Sequence, residues 1–450
     1  MNLPNDPDTR VCSTSPFVED RREIFGWKMY DWAWSAFSTT VATALLGPYL
    51  LELAEDAGGV DLFGVTVAPA SFFPFVVSLS AFLQVLVLPV VGAIADFTPH
   101  KKRLMMTLAN GGSALLLGFF MVKADTVWLG GLLFVLASVA FGAASVVYNS
   151  FLADLVAPEN RDRVSSRGYA YGYVGGAIWL AVNFALILTL EDTGLAVRLS
   201  LAGTGLWGLV FFGLFPGRLI RARSPQRQRP PGRGWLATGV VEPLRTLREM
   251  RSRQPITLRF LLSYLMYNDG ILTVIAVASL FAADELDAPA TVLLGLILVI
   301  QFAAVPGALL FERLAGRYGA KRALVANLVV WLGLVVYAFG LLDTIGELWV
   351  LGVVLALVLG GAQALSRSLY SQMIPVGREA EYFGFFEIAS RGTSWMGPAV
   401  FGIVNQLVGS QRLAILSLIV FFVLGLFGLV PVNVRQAMID VGNEPENMML

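Results

Sequence analysis

Charged groups inside long apolar stretches are the places where this 450-residue sequence could do chemistry. Asp269 stands about 13 residues into the apolar run 256–281, roughly 20 Å from its start. A charge at that depth in a hydrocarbon layer costs about 3 kcal/mol, so ionisable groups kept there are functional candidates. Asp269 reads either as a group that binds a cation or carries a proton, or as a buried partner for Asn or Arg elsewhere. Asn268 adds a second polar group. Gly270, lacking a side chain, permits local unwinding, and a helix broken at mid-membrane would hold a solute's polar atoms or a coupling ion. Glu387 and Arg391 lie four residues apart and share one helix face. Arg391 either offers its forked donors to a carboxylate or is neutralised by Glu387. Asp269 and Arg391 together would suit a zwitterion, the acid taking an ammonium and the base a carboxylate, if they face one cavity. Tyr169, Tyr171, Tyr173, Trp179 and Asn183 either line such a cavity or pack. Trp27, Trp32 and Trp34 cluster around Asp31 and read first as interfacial anchors.

The elements that must position these groups are membrane helices. The chain is 56% hydrophobic and 14% charged, with mean hydropathy +0.70; a water-soluble protein carries about 25% charged residues. Runs of about 20 apolar residues cross a bilayer, and backbone groups in lipid must bond internally, which makes them helices. Twelve are expected: 30–54, 71–95, 104–122, 127–153, 165–189, 195–216, 256–281, 290–311, 322–342, 347–370, 382–406 and 411–433. Between the sixth and seventh lies 217–255, with ten arginines against Glu242 and Glu249. Its portion 224–234 reads as a flexible tether. The portion 240–253 reads as a short helix with Val241, Leu244, Leu247 and Met250 on one side, lying along the membrane. The linker is either a plain tether or a regulatory, headgroup-binding element.

Of the 32 Lys and Arg, 28 fall on one side of these spans. The positive-inside rule makes that side cytoplasmic, with both termini. The expected division is a tail 1–29, a six-helix bundle 30–216, the linker 217–255, a second bundle 256–434 and a tail 435–450, in a bacterial inner (plasma) membrane. Cys12 is the only cysteine and His100 the only histidine, which leaves no disulfide framework and no histidine-based metal site. Phosphate-binding glycine–lysine loops and zinc-protease motifs are absent from the sequence. Neither an enzyme nor a cofactor is expected, nor a nucleic-acid partner beside so many spans.

Two weak repeats relate the halves. Gly92 and Asp96 precede Lys101, Lys102 and Arg103; Gly316 and Arg317 precede Lys321 and Arg322. Pro158 is followed by Arg161 and Asp162; Pro375 is followed by Arg378 and Glu379. Parallel six-helix repeats mark a two-bundle transporter with its site between bundles. The expected cytoplasmic gate is Asp31, Asp96, Lys101, Lys102, Arg103, Asp154, Arg161, Arg317, Gln363, Arg367 and Arg378. Asp31 is a gate or helix-start carboxylate. Gln363 and Arg367 have Asp154 and Glu381 as available partners. A carboxylate such as Asp96 can sit against a helix N-terminus and be released when bundles rock.

The Gly92–Arg103 turn resembles the best-known loop motif of the major facilitator superfamily, with Phe97 and Pro99 as departures. A narrower resemblance rests on Tyr30-Asp31-Trp32-Ala33-Trp34-Ser35-Ala36-Phe37, Tyr267-Asn268-Asp269-Gly270, Gln363-Ala364-Leu365-Ser366-Arg367-Ser368 and Glu381-Tyr382-Phe383-Gly384-Phe385. These are similar to signatures of the unknown-major-facilitator group that includes the autophagy-related vacuolar effluxers. The resemblance implies export of small solutes, amino acids first. Trp34 stands where that group usually has asparagine; if that asparagine touches substrate, specificity here differs. The expectation is a twelve-helix, two-bundle facilitator working by alternating access, with a proton, Na+ or no ion coupled. A transporter of amphiphiles such as lysolipids or drugs, or a non-transporting receptor on this fold, are the alternatives.

Overall fold

The computed structural model describes all residues except 1–18, 63, 226, 228–233, 287, 289, 392–395 and 444–450. Cys12 and most of the Arg- and Pro-rich tether lie outside the described residues.

Eleven helices among the described residues are long and apolar enough to cross a membrane. They are α1 (Arg21–Asp56), α2 (Pro69–Phe97), α3 (Lys101–Met121), α4 (Ala124–Leu155), α5 (Pro158–Thr189), α6 (Thr193–Leu219), α8 (Pro255–Glu285), α9 (Ala290–Tyr318), α10 (Ala320–Gly340), α11 (Ile345–Gln372) and α14 (Gln411–Leu429). Before α8 comes the linker helix α7 (Trp235–Arg253). The span expected over 382–406 is described as α12 (Glu379–Arg391) and α13 (Met396–Val408). A short helix α15 (Val434–Asp440) ends the described chain. With α12 and α13 as one span, the fold is the expected twelve-helix one.

Several helices outrun the apolar runs that predicted them. α1 begins at Arg21 rather than 30, because the helix continues beyond lipid into water, where charged residues cost nothing. Asp20 caps it, accepting from the Arg22 N–H at 2.8 Å. That bond holds the Asp20 carboxyl below its usual range. α11 starts on a capping box of Thr344 and Glu347. Midway, α1 widens into a π-helical stretch, Phe37–Leu45. Between α1 and α2 a two-stranded antiparallel hairpin pairs β1 (Val60–Leu62) with β2 (Val65–Val67), an element absent from the expectation.

Large apolar side chains such as Phe75, Phe82, Leu188 and Phe427 point outward, as lipid-facing surface. Two separate apolar cores lie inside. One is drawn from residues 24–220 with Ala380, the other from 250–438. These are the two bundles. α5 packs closely on α1 because Gly168, Gly172 and Gly175 face it: a Cβ at Gly175 would come within 2.5 Å of the Trp32 carbonyl oxygen.

Candidate functional site

A chain of charged and polar groups runs through the middle of the molecule and joins the two bundles. Arg367 on α11 is buried, and its guanidinium donates to the Asp31 carboxylate on α1 at 3.2 and 3.3 Å. It lies over the rings of Trp27 (4.7 Å) and Tyr169 (4.3 Å). Its Nε donates to Ser165 Oγ at 2.9 Å, and Nη1 to Asn149 Oδ1 at 3.3 Å. The Tyr148 hydroxyl donates to Asp31 at 2.7 Å. Asn149 on α4 then donates from Nδ2 to Glu387 on α12 at 2.7 Å. Glu387 pairs with Arg391 at 2.9 Å, and Arg391 rests 5.3 Å over the Trp34 ring. A buried charge is tolerated only when paired and bonded in this way.

These positions correct three expectations. Asp31 is no helix-start carboxylate; it lies ten residues inside α1, and Asp20 holds the start. Arg367 pairs with Asp31, not with Asp154 or Glu381. Gln363 accepts from the Tyr173 hydroxyl at 3.0 Å.

At 1.5 Å per residue, Arg367 lies roughly 8 Å from the end of α11, Arg391 roughly 18 Å into α12 and Asp269 roughly 21 Å into α8. Arg391 nonetheless keeps 25% of its side-chain surface accessible. It touches Trp34 and, at 3.5 Å, Ser145 of the first bundle.

Asp269 is arranged differently from the expectation. α8 is continuous through Asn268, Asp269 and Gly270, with no unwinding. The Thr273 hydroxyl donates to the Asp269 carbonyl at 2.7 Å. The polar pair instead serves the neighbouring span. Asn268 donates to the Ser390 carbonyl at 3.0 Å, in the last turn of α12, and Asp269 Oδ2 accepts from the Gly397 N–H at 2.6 Å, in the first turn of α13. Only glycine fits at 397, because a Cβ there would collide with the Thr273 hydroxyl. Asp269 Oδ1 is buried without a hydrogen-bond partner. No ion pair joins Asp269 to Arg391 among the described residues. Asn183 is buried within the first bundle, where its amide donates to Thr40 in the π-helical stretch at 2.8 Å. It braces α1 within the first bundle.

On the side that carries the linker, the bundles are bolted together. Asp96, at the end of α2, accepts from the Ala380 and Glu381 N–H groups at 3.0 and 2.8 Å. These are the free amides of the first turn of α12. Gly92 permits the approach, since a Cβ would strike the Ala380 carbonyl. Arg161 reaches the Ser371 carbonyl at 2.6 Å, the Ser165 hydroxyl reaches that of Ala364 at 2.8 Å, and Asp162 bonds Ser368. Lys101 pairs with Asp154 at 2.9 Å inside the first bundle. Lys102, Arg103 and Arg317 make no ion pair among the described residues; Arg317 lies 5.4 Å over the Tyr318 ring.

The linker helix covers this junction. Arg378 pairs with Glu249 of α7 at 2.7 Å and with Glu381 at 3.3 Å, and Thr246 bonds both Arg378 and Glu381. Arg227 joins Glu381 and Glu242 at 3.4 and 3.6 Å. α7 starts five residues before the expected 240. Val241, Leu244 and Leu247 are exposed while Met250 is buried, so they do not share one face; the buried face is polar, with Thr238, Glu242 and Thr246. Sequence reasoning missed these residues and the Tyr148-Asn149-Ser150 triplet. A polar triplet near the end of an apolar helix was the available signal.

A family model described as vacuole effluxer Atg22-like matches residues 19–442. An uncharacterised major-facilitator-type transporter of Bacillus subtilis, YxiO, is 30% identical over 89% of this chain and 92% of its own. Autophagy-related protein 22-1 of Aspergillus niger is 25% identical over 98% and 94%. Among solved structures, the major facilitator FucP in its outward conformation aligns with a TM-score of 0.66 at 13% identity, over 90% of this chain and 97% of that one. An outward-facing bacterial homologue of ferroportin aligns with 0.64 at 18%, over 91% and 98%. The chain belongs to the Atg22-like family on the major facilitator fold, and is a multi-pass membrane transporter.

Proposed function

We propose that the chain exports amino acids or similar small zwitterions by alternating access. The supporting observation is Arg391: charged, about 18 Å deep, a quarter accessible, and touched by both bundles. A substrate carboxylate arriving in the cleft would meet a guanidinium already oriented by Glu387 and Trp34. The forked donor geometry favours that group. Asp269 Oδ1, without a partner, is the candidate for the ammonium or for a coupled proton. The name of the matching family, an effluxer, favours export. The positive-inside bias supports cytoplasmic termini and linker, the division into bundles 30–216 and 256–434, and a bacterial plasma membrane.

The test is thermal stabilisation of the purified chain by a panel of amino acids, short peptides and lysolipids. A ligand that binds the folded state raises the melting temperature by mass action, about 2.7 kcal/mol at 100 times Kd. A neutral amino acid should stabilise the wild type and neither Arg391→Ala nor Asp269→Asn. Stabilisation by lysolipids alone would instead make the cleft an amphiphile site.

A further inference from the structure

A cavity of about 540 Å3 lies between α1, α5 and α9. Its two ends differ in chemistry. Toward the linker side it is rimmed by Lys28, Arg167 and Arg313 with one carboxylate, Glu312. One or two turns deeper along the same helices it is floored by Trp32, Val174, Val305 and Leu309. Arg167 grips both Glu312 oxygens at 2.9–3.1 Å, while Lys28 lies 5.0 Å over the Tyr171 ring. Among the described residues, neither Lys28 nor Arg313 has a carboxylate within ion-pair distance. The rim therefore carries two positive charges in excess. A soluble anion would use the rim but not an apolar floor running toward the membrane centre. An amphiphile with an anionic head would use both.

We propose that this crevice binds an anionic phospholipid of the linker-side leaflet, its phosphate among Lys28, Arg167 and Arg313 and an acyl chain along Trp32 and Val305. Arg167 belongs to the first bundle and Arg313 to the second. The bound lipid bridges them and favours the state closed on the linker side. Arg391 does not line this site, and the test does not depend on what is transported.

The experiment is a titration of dioleoyl phosphatidylglycerol into phosphatidylcholine nanodiscs holding the full chain, with bound lipid counted by native mass spectrometry. Each basic group near an anionic headgroup is worth about fivefold, so Lys28→Gln/Arg313→Gln should weaken phosphatidylglycerol binding by about 25-fold. Val305→Trp, which fills the floor and keeps the charge, should also weaken it; this variant keeps the test decisive if the double variant folds poorly. The α7 variant Arg245→Gln/Arg248→Gln/Arg251→Gln should bind as the wild type does. The proposal is overturned if the double variant or Val305→Trp binds phosphatidylglycerol like the wild type, or if phosphatidylcholine occupies the site equally. It is also overturned if the α7 variant is the one that loses binding. Displacement of the lipid by millimolar inorganic phosphate would show a soluble-anion site instead.

Discussion

Two of the junctions that close the linker side are built unequally. Between α2 and α12, the buried Asp96 carboxylate takes two backbone N–H groups, and the linker helix lies over the seam. Between α9 and α5, the corresponding loop has Gly316 where an acid would stand, and an ion pair between Glu312 and half-exposed Arg167 does the joining. A carboxylate on buried amides forms charge-assisted hydrogen bonds worth about 1.5–3 kcal/mol each, whereas an exposed pair contributes about 0–1 kcal/mol. The first junction is held by a carboxylate on two amides, the second by an ion pair beside an open crevice.

Substitutions can break or sharpen this contrast. The largest effect belongs to the buried Asp31–Arg367 pair, which holds α1 to α11. Arg367→Ala leaves Asp31 buried without its cation and should cost about 3–5 kcal/mol, seen as a lower melting temperature; an unchanged one would refute the pairing. Next is Asp96→Ala, which should move the bundles apart on the linker side. Spin labels at the exposed His100 and Val376 in a Cys12→Ser background should report a longer distance population. Thr246→Val removes the hydroxyl shared by Arg378 and Glu381 and should cost about 1–3 kcal/mol, with a smaller shift in the same distance. Glu312→Gln should change stability by no more than about 1 kcal/mol; an effect as large as that of Asp96→Ala would abolish the distinction between junctions. Smallest of all is Gly316→Asp. A Cβ there meets nothing within 4 Å, so the added side chain meets no steric conflict, and stability should stay within about 0.5 kcal/mol.

The helices and the Asp96 latch were legible in the sequence. Apolar run length dictates a span, and a carboxylate ending α2 has helix termini as its natural partners. The Glu387–Arg391 pair was legible too, because i, i+4 neighbours are local. Arg367 and Asp31 are 336 residues apart, and nothing local distinguishes Asp31 from Asp154 as a partner. Asn149 was hidden for the same reason. Gly270 suggested a break in α8, but a glycine only permits unwinding; here the helix stays whole and its Asn268–Asp269 pair bonds the neighbouring span. The docking of α7 was misread because its apolar residues drew attention while its polar ones make the contact.

The measurement closest to the central claim is counterflow in proteoliposomes. Vesicles holding the full chain and preloaded with an unlabelled neutral amino acid are diluted into the same labelled amino acid. The account predicts transient accumulation of label by the wild type and none by Arg391→Ala. Counterflow that persists in Arg391→Ala, or no counterflow of any amino acid by a folded wild type, would contradict it.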